Sequence, residues 1–184
     1  MKLGALVLTG GASSRMGVDK AALDWHGDRA IDRVMAIAKA LGAAPVYGVG
    51  ANSYGLPHVA EEPAMSGPVG GVLAGAVALL AEDCERALIL AVDAPSLRPE
   101  DVRALLAVGG TGAAYAGLPL PMVITLSALP EHARPDWPLM RLVEATGLEI
   151  VDCTPEARAR IRGANTPSER ETLLQSMLEA GRTS

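Results

Sequence analysis

The chain has no phenylalanine, three tyrosines and two tryptophans, so aromatic residues make up only 3% of its 184 residues. That scarcity excludes a core of stacked rings and leaves Ala, Val, Leu and Ile to fill it; hydrophobic residues are 49% of the total. Long runs of one charge are also missing, and the net charge is -5. A basic footprint for nucleic acid is therefore absent, and any anion site has to be local. The two cysteines, Cys84 and Cys153, are far apart and lack metal-ligand spacing, so they read as buried free thiols. His26, His58 and His132 are scattered without metal spacing and read as surface or loop residues. The apolar stretch at the N-terminus, "MKLGALVLTGG", is too short for a signal peptide or a membrane span. A cytoplasmic location is the expectation.

What is present is a regular alternation. Leu3 to Leu8 form an unbroken apolar run ending in glycines, as in a strand buried on both faces. A helix is expected over 29–41, with Asp28 as its N-cap, Ile31, Val34, Ala38 and Leu41 on one face, and Gly42 closing it. "APVYGVG" reads as a strand, "GPVGGVLAGAVALLAED" as a small-residue helix entered through a glycine turn, and "ALILAVD" as a buried strand ending on Asp93. "RPEDVRALLA" follows as a helix, with Pro99 where a first turn tolerates it. Beyond Thr111 come strands in "AAYAG" and "MVITL", one of them antiparallel, then a helix near 136–146 and "LEIVDC". A last helix is marked by capping-box spacing of Thr166 and Glu169 around Pro167. The small residues of 70–78 predict close helix–sheet packing, since acidic neighbours and a short span argue against a membrane dimer motif. The pattern implies one α/β domain over residues 1–184, a mostly parallel sheet covered by helices.

One stretch carries chemistry. "LTGGASSRMGVDK" follows the first strand and combines bare glycines with Arg15 and Lys20. It is not a P-loop, because Gly17 is followed by Val18, Asp19 and Lys20, and not a dinucleotide fingerprint either; "GVGANS" from Gly48 misses that pattern by its last residue. Gly10 and Gly11 nevertheless allow backbone N–H groups to approach phosphate oxygens, and the two cations add charge beside them. A plain strand-to-helix turn with two solvated cations is the alternative on these residues alone. Asp93 ends the strongest apolar strand, where open α/β sheets place ligands, and a lone carboxylate with phosphate oxygens suits Mg²⁺. Its other reading is a cap for "APSLRPED".

"LTGGASSRMGVDKAAL" resembles the signature Leu-x-Gly-Gly-x-Ser-x-Arg-Met-Gly-x-Asp-Lys, in the form found in the molybdenum cofactor guanylyltransferase (MobA-like) family of nucleotidyltransferases. "GPVGGVLAG", "AVDAP", "PLPMV" and "ANTPSE" resemble later family segments in the same order, so the resemblance spans essentially the whole chain. It implies a three-layer, Rossmann-like, GT-A-like fold with helices on both sheet faces. It also implies transfer of GMP from GTP to molybdopterin with release of pyrophosphate and Mg²⁺ as cofactor, and other proteins of molybdenum-cofactor biosynthesis as partners. Leu8, Thr9, Gly10 and Gly11 would then contact the nucleotide through backbone. Lys20 would neutralise phosphate charge, Arg15 would support the departing pyrophosphate, and Asp93 would hold the metal. Asn52, Glu62 and Asn165 match or stand near further nucleotide-binding positions. The chain departs from the family at Gly50 and Gly163, where Asn is usual, and at Glu62, where Asp is usual. A cytidylyl or sugar-phosphate transferase, or a nucleotide-binding relative without turnover, therefore stays open.

Overall fold

The computed structural model describes residues 1–9, 19–60, 67–163 and 167–182. A seven-stranded sheet runs through them: β1 (Leu3–Leu8), β4 (Val46–Gly50), β5 (His58–Ala60), β6 (Arg86–Ala91), β7 (Gly112–Tyr115), β8 (Leu118–Thr125) and β9 (Glu149–Val151), in spatial order β5-β4-β1-β6-β8-β7-β9. Strands β5, β4, β1 and β6 are mutually parallel. Strand β8 runs antiparallel to both β6 and β7, and β9 closes the edge parallel to β7. A two-residue hairpin, β2 (Asp24–Trp25) with β3 (Asp28–Arg29), stands apart.

Helices cover both faces because the central strands are apolar on both. Ala5 and Val7 of β1 and Leu88 and Leu90 of β6 point into one core, shared with Ile31, Val34 and Met35 of α1 (Ala30–Ala40), Val102 and Leu105 of α3 (Glu100–Ala107), and Ile161 of α5 (Pro155–Arg162). Leu6, Leu8, Ala87 and Ile89 point into the other, packed by Val69, Val72 and Leu79 of α2 (Pro68–Ala81) and Leu142 and Val143 of α4 (Leu139–Thr146). The period-two alternation of a strand divides one apolar run between two cores. Helix α2 seats on β1 through its small residues: a Cβ on Gly75 would stand 2.5 Å from Leu6. The tight packing expected of residues 70–78 is therefore present, and among the described residues no helix is long and apolar enough to cross a membrane.

Several expectations need correction. Asp28 does not cap α1; the N-cap is Arg29, which makes no side-chain capping bond. The turn at His26 (φ 59°) and Gly27 (φ 91°) folds Asp28 back to pair with Trp25, and its carboxylate lies 3.5 Å from Arg33 instead. His58 sits on β5, half-buried, with Nε2 2.8 Å from the Gly50 carbonyl, not in a loop. Cys84 is buried, whereas Cys153 is only half-buried, on the stretch between β9 and α5. Burial pushes both thiols up. Helix α4 starts at Leu139, after Pro138. The last helix, α6 (Pro167–Arg182), begins at Pro167, and Thr166 lies outside the described residues. Strand β5, the hairpin and α5 were not anticipated from the sequence.

Candidate active site

The order β4-β1-β6 makes a switch point. From β1 the chain passes through α1 to β4 on one side, and from β6 through α3 to β7 on the other. Connections leaving the carboxyl ends of β1 and β6 thus diverge and open a crevice between them, the usual ligand position in open α/β sheets. The connection after β1 carries Lys20, and that after β6 carries Asp93.

Leu8 is buried, its side chain in the core and its carbonyl accepting from Val92 N–H at 3.1 Å. Thr9 is tied to β4: both its N–H and its Oγ1 donate to the Val49 carbonyl at 2.9 Å. These two residues fix the take-off of the glycine loop, of which Gly10, Gly11 and Arg15 lie outside the described residues. The chain re-enters at Asp19, which caps a 3-10 turn over Lys20–Ala22 by accepting from Ala21 N–H at 3.0 Å. Lys20, the first residue of that turn, is half-buried.

Asp93 lies two residues beyond β6 in a largely buried turn. Burial pushes its carboxyl above the ordinary carboxylate range, and the Lys20 ammonium opposes that rise. Asp93 does not cap α3: the N-cap is Pro99, and Arg98 N–H is taken by Asp101 at 2.9 Å. The capping alternative thus belongs to Asp101.

The Asp93 turn is held from behind by α5. Asp101, 4% exposed, accepts two bonds from Arg160, at 2.5 and 2.8 Å. Ser96 Oγ donates to the Arg160 carbonyl at 3.2 Å, and Arg33 Nε donates to the Pro95 carbonyl at 3.3 Å. Gly163 ends α5 at φ 61°, ψ -162°, a region open essentially to glycine. A Cβ there would lie 1.8 Å from the Asp93 carbonyl oxygen. Glycine at this position is demanded by contact with the Asp93 turn. Neither Asp101–Arg160 nor Gly163 was recognised as site support from the sequence, because α5 buries only Ala157 and Ile161 and has no strong apolar stripe. The signal was Thr154 before Pro155, whose Oγ1 accepts from Ala157 N–H at 3.2 Å.

Asn52 is exposed on the loop after β4, next to β1 in the sheet. Glu62 and Asn165 lie outside the described residues. The structure therefore brings Leu8, Thr9, Lys20, Asn52 and Asp93 to the carboxyl ends of three adjacent strands. Among the described residues no group of three His, Cys, Asp or Glu side chains is placed to hold a metal ion.

A mostly parallel sheet with Lys20 and a half-buried Asp93 on the connections after its two central strands has the architecture of a ligand-binding α/β protein. Comparison with known proteins narrows the class. Residues 5–135 match the MobA-like NTP transferase domain. The molybdenum cofactor guanylyltransferase of Xanthomonas euvesicatoria pv. vesicatoria (strain 85-10) is 32% identical over 178 residues, covering 92% of this chain and 93% of that protein. The chain belongs to the MobA-like NTP transferase family, and it is a nucleotidyltransferase. Solved structures share the fold. A nucleotidyl transferase from Methanothermobacter thermautotroptrophicus superposes with a TM-score of 0.72 at 16% identity, covering 97% of this chain and 99% of that one. The molybdopterin-guanine dinucleotide biosynthesis protein A of Archaeoglobus fulgidus gives 0.64 at 17% identity, covering 97% and 100%.

Proposed function

We propose that the enzyme transfers GMP from GTP to molybdopterin and releases pyrophosphate. The observation that carries this reading is the near full-length similarity to a guanylyltransferase, joined to a half-buried Asp93 after β6 whose carboxyl feels the Lys20 charge. In the step, an oxygen of the acceptor's terminal phosphate forms a bond to the α-phosphorus of GTP. The bond from that phosphorus to the bridging oxygen breaks, and pyrophosphate leaves with its electron pair.

The protein's part is positioning and charge. Backbone N–H groups of the glycine loop, launched from Leu8 and Thr9, would line the triphosphate, and Arg15 would meet the departing pyrophosphate. Lys20 would neutralise phosphate oxygens from the other end of that loop. Asp93 fits a Mg²⁺ ion: it is one hard, desolvated carboxylate, and substrate phosphates and water would complete the coordination, which is how Mg²⁺ is usually held. The ion would supply electrostatic stabilisation of charge developing at the phosphates. Asn52, with Glu62 and Asn165, would read the base; guanine's ring N–H and exocyclic amine call for acceptors, which Glu62 offers.

A second reading keeps the chemistry and changes the nucleotide to CTP. It is favoured by Gly50, which offers no side chain where Asn is usual in the family. Pyrophosphate release with molybdopterin, measured in competition among the four nucleoside triphosphates, separates the two. GTP outcompeting the others supports guanylyl transfer. Preference for CTP overturns it in favour of cytidylyl transfer, and no release with any of the four points to a nucleotide-binding relative without turnover.

A further inference from the structure

Asp19 is the acidic half of the Asp-Lys pair that ends the glycine loop, yet its carboxylate is committed to the protein. Oδ1 accepts from Ala21 N–H at 3.0 Å. The Tyr54 hydroxyl lies 3.0 Å from Oδ1 and 2.9 Å from Oδ2. Tyr54 belongs to the loop after β4, 35 residues away in sequence, and that loop also carries Asn52. Both ends of Tyr54 are pinned. Its carbonyl accepts from Arg29 Nη1 at 3.0 Å, and Arg29 is itself held in a two-point pair with Asp32, at 2.6 and 2.9 Å. Its backbone has φ 54°, a left-handed conformation uncommon for a residue with a large side chain. Burial and the Asp19 carboxylate together push the phenol up.

We infer that Tyr54 and Asp19 form a latch that couples the loop carrying Asn52 to the turn carrying Lys20, so that base contacts and phosphate contacts are set as one unit. This rests on the proposed binding of a nucleoside triphosphate across the two loops. The geometry explains why a strained tyrosine occupies the position: glycine would adopt the backbone freely but could not reach Asp19. It also explains the acid beside Lys20. Asp19 aims the turn through Ala21 N–H and receives the latch. Tyr54 and Asp19 are positioning residues.

The test is calorimetric affinity for whichever of the four nucleoside triphosphates wild type binds most tightly, together with steady-state kinetics and a thermal melt. The variants are Tyr54→Phe, Asp19→Asn, Asp19→Ala and the Tyr54→Phe/Asp19→Ala pair. Tyr54→Phe is expected to raise Kd and nucleotide KM about fivefold to tenfold, with kcat at saturation within about twofold of wild type, as for loss of one exposed hydrogen bond of ordinary worth. Asp19→Asn keeps an acceptor and should lose less than about threefold, while Asp19→Ala should lose at least as much as Tyr54→Phe. The double variant should be no worse than Asp19→Ala alone, because both changes break one contact. Wild-type affinity in Tyr54→Phe, or penalties that simply add in the double variant, would overturn the latch while leaving nucleotidyl transfer intact. A wild type that binds none of the four overturns the functional reading and the latch together.

Discussion

Lys20 and Asp93 stand on connections that leave adjacent strands, yet the chain holds them by different means. The Lys20 turn is set by polar contacts near the surface: Asp19 with Ala21 N–H, Asp19 with Tyr54, and Tyr54 with Arg29. The Asp93 turn is set by packing and by an ion pair whose acid is buried. Ala94, Ser96 and Leu97 are each at most 5% exposed, Asp101 is bonded twice to Arg160, and Gly163 closes against the Asp93 carbonyl. Hydrogen bonds at a wet surface exchange readily with water, whereas a close-packed contact has no alternative arrangement nearby. The Lys20 turn is thus held less rigidly than the Asp93 turn.

If that contrast holds, damage to the two sides should differ in kind. The largest effect is expected from Asp93→Asn, which keeps size and removes charge. Transfer should fall a hundredfold or more, roughly 3 kcal/mol of barrier, with nucleotide binding kept in part; pyrophosphate release measures the first and calorimetry the second. Gly163→Ala should follow. It forces a Cβ into the Asp93 carbonyl and should cost about 2–4 kcal/mol of stability in urea denaturation, with activity lost alongside. A Gly163→Ala protein of normal stability and activity would mean that the Asp93 turn is not held by contact. Lys20→Ala should weaken nucleotide binding and slow transfer by about tenfold or more, the worth of a charge-assisted phosphate contact, and leave the melting temperature near wild type.

The smallest effect is on stability and pH. A carboxyl whose folded pKa is raised favours the fold most below its unfolded pKa and loses that advantage as pH rises through the folded value. Ionised Asp93 is thus a cost to the fold at neutral pH. Asp93→Asn should melt at or above the wild-type temperature at pH 7, and the gap should close as pH falls toward about 3.9, the ordinary aspartate value. A variant markedly less stable than wild type at pH 7 would show that the charge is stabilised in the fold instead.

The architecture was legible wherever apolar runs are long. Leu3 to Leu8 and Ala87 to Ala91 announce strands buried on both faces, and their endings point to Leu8, Thr9 and Asp93. Gly42 closes α1 as expected, with φ 84°. What escaped is held by polar contacts between distant segments. Asp28 looks like a cap because an acid before an apolar helix usually is one, but the Gly27 turn redirects it. Tyr54 carries no periodic signal, and its partner is set by the meeting of two loops in space. Gly163 reads from sequence as the loss of an asparagine, and only its distance from Asp93 shows that a side chain has no room there. Strand β5 is three residues long and half-exposed, too short for alternation to appear.

The most direct test is a crystal structure of the enzyme with GTP and Mg²⁺. The account predicts the triphosphate in the crevice between β1 and β6, the ion bound by an Asp93 oxygen and phosphate oxygens, and the Lys20 ammonium on the phosphates. A nucleotide bound elsewhere, or an ion held by other carboxylates with Asp93 untouched, would contradict it.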